Sequence, residues 1–185
     1  MRLIVHAHAS GARVNRFPRE CIYVDMSNGK LNIGLDKAQR EGVIALLRSL
    51  LADEYVLYTK TRNFHWNVTG PRFHDLHKFF EGQYDAIDET IDEVAERIRS
   101  LGGVSPGSMA EFLATARLSE NKGELTSADL MVERLLADHE AVIRSLREDL
   151  KKANDEFGDA GTSDFLTGLM EEHEKMAWML RALLS

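Results

Sequence analysis

From residue 36 to the end of the chain, apolar residues recur in steps of three and four. Val43, Leu46, Leu47, Leu50, Leu51, Tyr55 and Tyr58 trace one stripe, the spacing of an amphipathic helix. Asp36 stands before it with Gln39 three residues on, a capping-box pairing. "TGP" at 69–71 ends this helix near Val68. A second helix is predicted from just after Pro71 to Leu101. Gly102 and Gly103 close it, because glycine accepts the left-handed conformation that terminates helices. A turn, "VSPGS", leads to "MAEFLATARL", an amphipathic piece of one to three turns. Thr126 or Ser127 caps a third long helix, with Leu130, Leu135, Leu136, Val142, Ile143, Leu146 and Leu150 inward. "EFGDAGT" breaks it. A fourth helix runs from about Ser163 to Leu184, with Phe165, Leu166, Leu169, Met176, Leu180 and Leu183 on its apolar face. No stretch from Asp36 onward shows the alternation of a strand.

The fold class predicted is all-α: a four-helix bundle with a short extra helix in the crossover between helices 2 and 3. Residues 102–125 are long enough to cross the bundle with that helix inside them. Residues 1–30 lack periodicity and contain the turn-like "NRFPRE" and "MSNGK". They are expected to form a flexible arm, leaving residues 31–185 as the bundle domain. Met26 offers an alternative start, which would make the first 25 residues an upstream extension.

Composition adds a direction. The chain has 185 residues, 44% of them apolar and 29% charged, with a net charge of −7. Such a chain can bury one core. The arm carries Arg2, Arg13, Arg16, Arg19 and Lys30 against Glu20 and Asp25, so the rest of the chain is strongly acidic. An acidic body suits a protein that handles cations, and it also simply keeps a protein soluble. Cys21 is the only cysteine, which excludes an intrachain disulfide and a thiolate cluster and fits a reducing, cytoplasmic setting. No apolar run approaches the length of a membrane span, and the apolar run in "MRLIVHAHAS" is too short for a signal-peptide core.

Residues 63–103 hold three of the seven histidines, a tryptophan and a ladder of carboxylates. On the second helix His77 and Glu81 are four apart and share a face, as do Asp92 and Glu96. Glu81 and Asp92 are eleven apart, three turns, so both pairs look the same way. Each pair is a half-site for iron or another divalent metal. Eleven residues of helix span roughly 16 Å, too far for one ion held by ligands about 2 Å away. Either there are two weak sites, or the pairs meet across subunits. A two-fold axis laying two such helices antiparallel would set the His–Glu end of one against the Asp–Glu end of its mate, with His65 from the preceding helix closing the site. Read alone, an acidic helix face is equally a solvated surface. His74, three residues before His77, is a ligand candidate or a solvent-facing residue.

"HW" at 65–66, Gly70, Phe73, "LH" at 76–77, Asp92 and "AER…LGG" at 95–103 together resemble the signature of the Dps family, the DNA-binding proteins from starved cells, or mini-ferritins. The four-helix layout with its crossover helix resembles that family too, as does "EEHEKMAWMLRALL" near the C-terminus. The likeness covers residues 31–185. It implies a hollow homododecamer that oxidises Fe(II), preferably with hydrogen peroxide, at two-fold interfaces, stores Fe(III) mineral and protects DNA. Matched by position, the implied iron ligands are His65, His77 and Glu81 of one subunit with Asp92 and Glu96 of its neighbour. Glutamate at position 81, where some members have aspartate, would shift the second metal position or its affinity and leave the first iron site in place. Trp66 is implied to lie near the site and take part in electron transfer, or else to be a packing aromatic. Acidic pores are implied, with Asp149, Asp155, Asp159 and Asp164 as acids near a helix break. Non-specific DNA contact would fall to Arg13, Arg16 and Arg19, multiplied over twelve arms, and would associate the cage with the nucleoid. His6 and His8 could take up a metal or be inert.

Two rivals differ in class. A conventional ferritin needs Glu-x-x-His on two helices, but Leu136 stands three before His139 and Met170 three before His173. A non-enzymatic DNA-binding architectural protein would leave the His–His–acid spacing without a reason.

Overall fold

A computed structural model of the chain describes residues 31–123 and 126–185. Five α-helices and one π-helical turn make up the regular structure among them, and no strand occurs. They are α1 (Lys37–Asn67), α2 (Phe73–Ser100), α3 (Met109–Thr115), α4 (Ala128–Lys151) and α5 (Ala160–Ala182), with the π turn at Lys152–Glu156 between α4 and α5. The all-α bundle with a short helix in its crossover is therefore the observed fold. The arm residues Arg13, Arg16, Arg19, His6, His8 and Cys21 lie outside the described residues.

Local chemistry sets the ends. The Asp36 carboxylate accepts from the Gln39 amide at 2.9 Å, and the Gln39 side chain accepts from the Asp36 N–H at 2.8 Å, so two donors at the helix start are satisfied reciprocally. Ser127, not Thr126, caps α4 by accepting from the Leu130 N–H. Gly102 takes φ +84° after α2. Helix α5 begins at Ala160, three residues before the sequence suggests, because Asp159 accepts from the Thr162 N–H and supplies an N-cap.

Two antiparallel hairpins, α1–α2 and α4–α5, pack into one bundle. The interior is filled by Leu47, Leu50, Leu57 and Phe64 of α1, Phe80, Ile87, Val94 and Ile98 of α2, Leu135 and Leu146 of α4, and Leu166 and Leu180 of α5. Leu130 departs from expectation: it sits in the first turn of α4 and is exposed. The crossover is held along its length. Arg40 and Arg48 donate to the Leu101 and Val104 carbonyls, and Phe112 of α3 stacks on Tyr55 at 3.9 Å. Arg117 then bridges two buried carboxylates, Asp53 at 2.6 Å and Asp149 at 2.7 Å.

Candidate metal centre

The α1–α2 hairpin turns sharply at Gly70, whose φ is +105°, and this brings the end of α1 against the start of α2. His65 and His77 meet there with rings stacked at 3.7 Å. Their bonding is reciprocal. His65 Nδ1 donates to the His77 carbonyl at 2.8 Å, and His77 Nδ1 donates to the His65 carbonyl at 2.9 Å. A carbonyl oxygen can only accept, so both Nδ1 atoms carry protons. In each neutral ring the lone pair is left on Nε2. A shell that fixes tautomer and ring orientation through Nδ1–H is what metal-binding histidines require.

Glu81 is half-buried one turn beyond His77. Lys78 donates to it at 2.6 Å, and this bond together with the Lys78 charge holds the Glu81 carboxyl below the ordinary carboxylate range despite partial desolvation. Asp92 and Glu96 are exposed farther along α2. Among the described residues of one chain, no three His, Cys, Asp or Glu side chains gather where a metal could be held. One chain thus presents a His–His–Glu edge and a separate Asp–Glu edge. His74 is exposed to solvent.

Aromatic side chains wall the histidine pair. Tyr84 meets the His65 ring edge-on at 5.2 Å, and Phe73 lies 5.2 Å from His77. The Arg62 guanidinium hydrogen-bonds the Tyr58 hydroxyl at 2.6 Å and stands 5.1–5.4 Å from the rings of Tyr58, Tyr84 and Trp66. Trp66 itself is 63% exposed, so it is not packed into this chain's own core. Sequence reading missed Tyr84, although its place three residues after Glu81 and seven after His77 puts it on the same helix face.

The acids suggested as pore-lining divide. Asp149 is buried against Arg117, and Asp159 is buried against Arg97 and Thr162. Both are consumed by internal ion pairs and are not available to a pore. Asp155 and Asp164 are exposed.

Residues 44–185 match the Ferritin-like domain family, so fold and comparison together define the class as ferritin-like. An uncharacterized low temperature-induced protein of Nostoc sp. (strain PCC 7120) is 52% identical over 155 residues, 84% of this chain and 87% of that protein. DNA protection during starvation protein 2 of Bacillus anthracis is 42% identical over 144 residues, 77% of this chain and 97% of its own. The crystal structure of a Dps protein from Vibrio cholerae O1, described as a member of a broad superfamily of ferritin-like diiron-carboxylate proteins, matches with a TM-score of 0.78 and 34% identity, over 84% of this chain and 96% of that one. The chain belongs to the Dps family of ferritin-like proteins.

Proposed function

We propose that this protein stores and detoxifies iron, oxidising Fe(II) at sites shared between two subunits and holding the product as ferric mineral inside a homododecameric cage. Iron is the substrate. The observation that carries this reading is the reciprocal His65–His77 lock, which leaves two imidazole lone pairs beside the ionised Glu81. His65, His77 and Glu81 of one chain face Asp92 and Glu96 of the partner subunit across a two-fold axis, giving a set of nitrogen and oxygen donors that suits ferrous iron. Hydrogen peroxide is the preferred oxidant. Two Fe(II) each give one electron, the O–O bond breaks, and two protons are taken up to leave two Fe(III) and two waters. No hydroxyl radical is released in that balance, which is how the protein would protect DNA. The hard Fe(III) ion then moves to all-oxygen surroundings. Trp66, next in sequence to His65 and 5.2 Å from the Arg62 guanidinium, would be the side chain to exchange an electron with the site. The arm's Arg13, Arg16 and Arg19 add a sequence-independent, salt-sensitive attraction to phosphate, in a cytoplasmic setting.

Subunit mixing tests the shared site. One variant carries His65→Ala with His77→Ala, the other Asp92→Ala with Glu96→Ala. Each alone is inactive. Refolded together at equal amounts, half of the two-fold interfaces are mixed, and one of the two sites in each is whole, so roughly a quarter of wild-type peroxide-driven iron oxidation returns. No recovery in assembled mixtures would mean that the site is not shared.

A further inference from the structure

A row of rings leads away from His65. Tyr84 of α2 meets the His65 ring edge-on at 5.2 Å between ring centres, and Tyr58 of α1 meets Tyr84 edge-on at 6.1 Å. Edge-to-face rings at these separations are packed against one another, so His65, Tyr84 and Tyr58 form an unbroken line. Arg62 stands beside it. Its guanidinium donates to the Tyr58 hydroxyl at 2.6 Å and lies 5.4, 5.1 and 5.2 Å from the ring centres of Tyr58, Tyr84 and Trp66. Both tyrosines are half-buried and keep some contact with solvent.

We infer that Tyr84 is a redox residue of the shared site, supplying the second electron when peroxide meets a site that holds a single Fe(II), and that Tyr58 shares the radical so formed. This rests on the iron-oxidation reading above. In that reading the donors are divided between two chains, three on one side and two on the other, so the two irons are held unequally and half-filled sites occur whenever iron is scarce. Peroxide takes two electrons. A single Fe(II) gives one; unaided, with one proton, it leaves Fe(III), one water and a hydroxyl radical. With Tyr84 against His65, the phenol gives the other electron together with its own proton. Fe(II), H2O2, the phenol and one further proton then yield Fe(III), two waters and a neutral phenoxyl radical. A later Fe(II) returns one electron, a proton is taken up, and the phenol is restored. The sum is two Fe(II) and two protons per peroxide, the same balance as in a filled site.

Charge decides where the radical rests. An oxidised phenol loses its proton and ends neutral, whereas an oxidised indole first becomes a cation. A guanidinium is attracted to the face of a neutral ring. A positive charge on Trp66, 5.2 Å from the Arg62 guanidinium, is instead repelled by it. A radical formed on Trp66 is therefore drawn off to the tyrosines.

The test is rapid-freeze electron paramagnetic resonance on assembled, iron-free protein given one Fe(II) per site and an equal amount of peroxide, without oxygen. Wild type should show a tyrosyl radical, recognised because its signal narrows in protein made with ring-deuterated tyrosine and not with ring-deuterated tryptophan. Tyr84→Phe keeps the edge-on ring but has no phenol. It should melt near the wild-type temperature, lose the tyrosyl signal and release more hydroxyl radical to a spin trap, an excess that vanishes when two Fe(II) per site are supplied. Trp66→Phe should keep the tyrosyl signal. Rapid iron oxidation by wild type with no protein radical, a radical resting on tryptophan, or an unchanged signal in Tyr84→Phe would overturn the inference and leave the iron reading standing. Wild-type oxidation no faster than free iron would overturn both.

Discussion

Lys60 and Asp138 offer the sharpest test of how the interior is held. The Lys60 ammonium meets Asp138 Oδ2 at 2.5 Å, with side chains only 8% and 16% exposed. Lys60→Met keeps the side chain's length and apolar stem but strands the carboxylate. Breaking a buried pair costs about 3–5 kcal/mol, and the residual exposure of Asp138 brings the expected cost down to about 2–4 kcal/mol. In a bundle of this size that is a fall of roughly 5–15 °C in melting temperature. Burial already pushes the Asp138 carboxyl up, against the hydrogen bond and charge of Lys60 that pull it down. Without Lys60 it rises further. An acid whose folded-state pKa is raised is penalised at pH above that value and relieved below it. The deficit of the variant against wild type should therefore narrow from pH 7.5 to pH 5.5. Lys60→Met with Asp138→Leu should recover most of the loss, because an apolar pair of similar size can replace a buried ion pair. Thermal unfolding followed by circular dichroism at fixed protein concentration measures all three proteins. A single-variant shift under 2 °C, or a double variant no better than the single one, would refute the reasoning.

Other outcomes follow from the same structure. A Cβ on Gly42 would stand 2.3–2.7 Å from atoms of the Phe157 ring, so Gly42→Ala should lower the melting temperature by a few degrees, and Phe157→Ala in the same chain should remove the difference. In the metal-free protein His173 binds its proton more tightly than an ordinary histidine and His139 less tightly. The His173 contribution is complete below the unfolded histidine value and lost as pH rises through the raised one. The His139 contribution is lost as pH falls below about 6.5. Histidine-dependent stability should thus peak near that value, and the acid-side loss attributable to His139 should disappear in His139→Gln. In the proposed shared site Glu81 exchanges Lys78 for metal, so Lys78→Met should strengthen cobalt binding there about two- to fivefold at low salt, a gain that high salt erases. Titration calorimetry at two salt concentrations reads it.

Elements governed by neighbours in sequence were legible before the structure. The Asp36–Gln39 capping box, the glycine stop after α2 and the apolar stripes all act within one or two turns, and each sits where its pattern places it except Leu130, which falls in the exposed first turn of α4. The facing of His77 and Glu81 is legible for the same reason, since a helix fixes that relation by itself. What the sequence hid depends on partners brought from elsewhere. Asp149 and Asp159 look like acids at a helix break, yet Arg117 and Arg97 arrive from 32 and 62 residues away to bury them. The His65–His77 lock needs a backbone carbonyl at the right place, which no side-chain pattern announces. Glu54, His139 and His173 lie on three helices, each on a face that is apolar three and four residues to either side, and only packing shows that they touch.

The central claim is that His65 and His77 make this protein a ferroxidase. Anaerobic oxidation of Fe(II) by sub-stoichiometric peroxide, followed optically in wild type and in assembled His65→Ala/His77→Ala protein, addresses it most directly. Rapid oxidation by the wild type, with two Fe(II) consumed per peroxide and the variant no faster than free iron, is the predicted result. Wild-type oxidation no faster than free iron, or an assembled variant as fast as wild type, would contradict it.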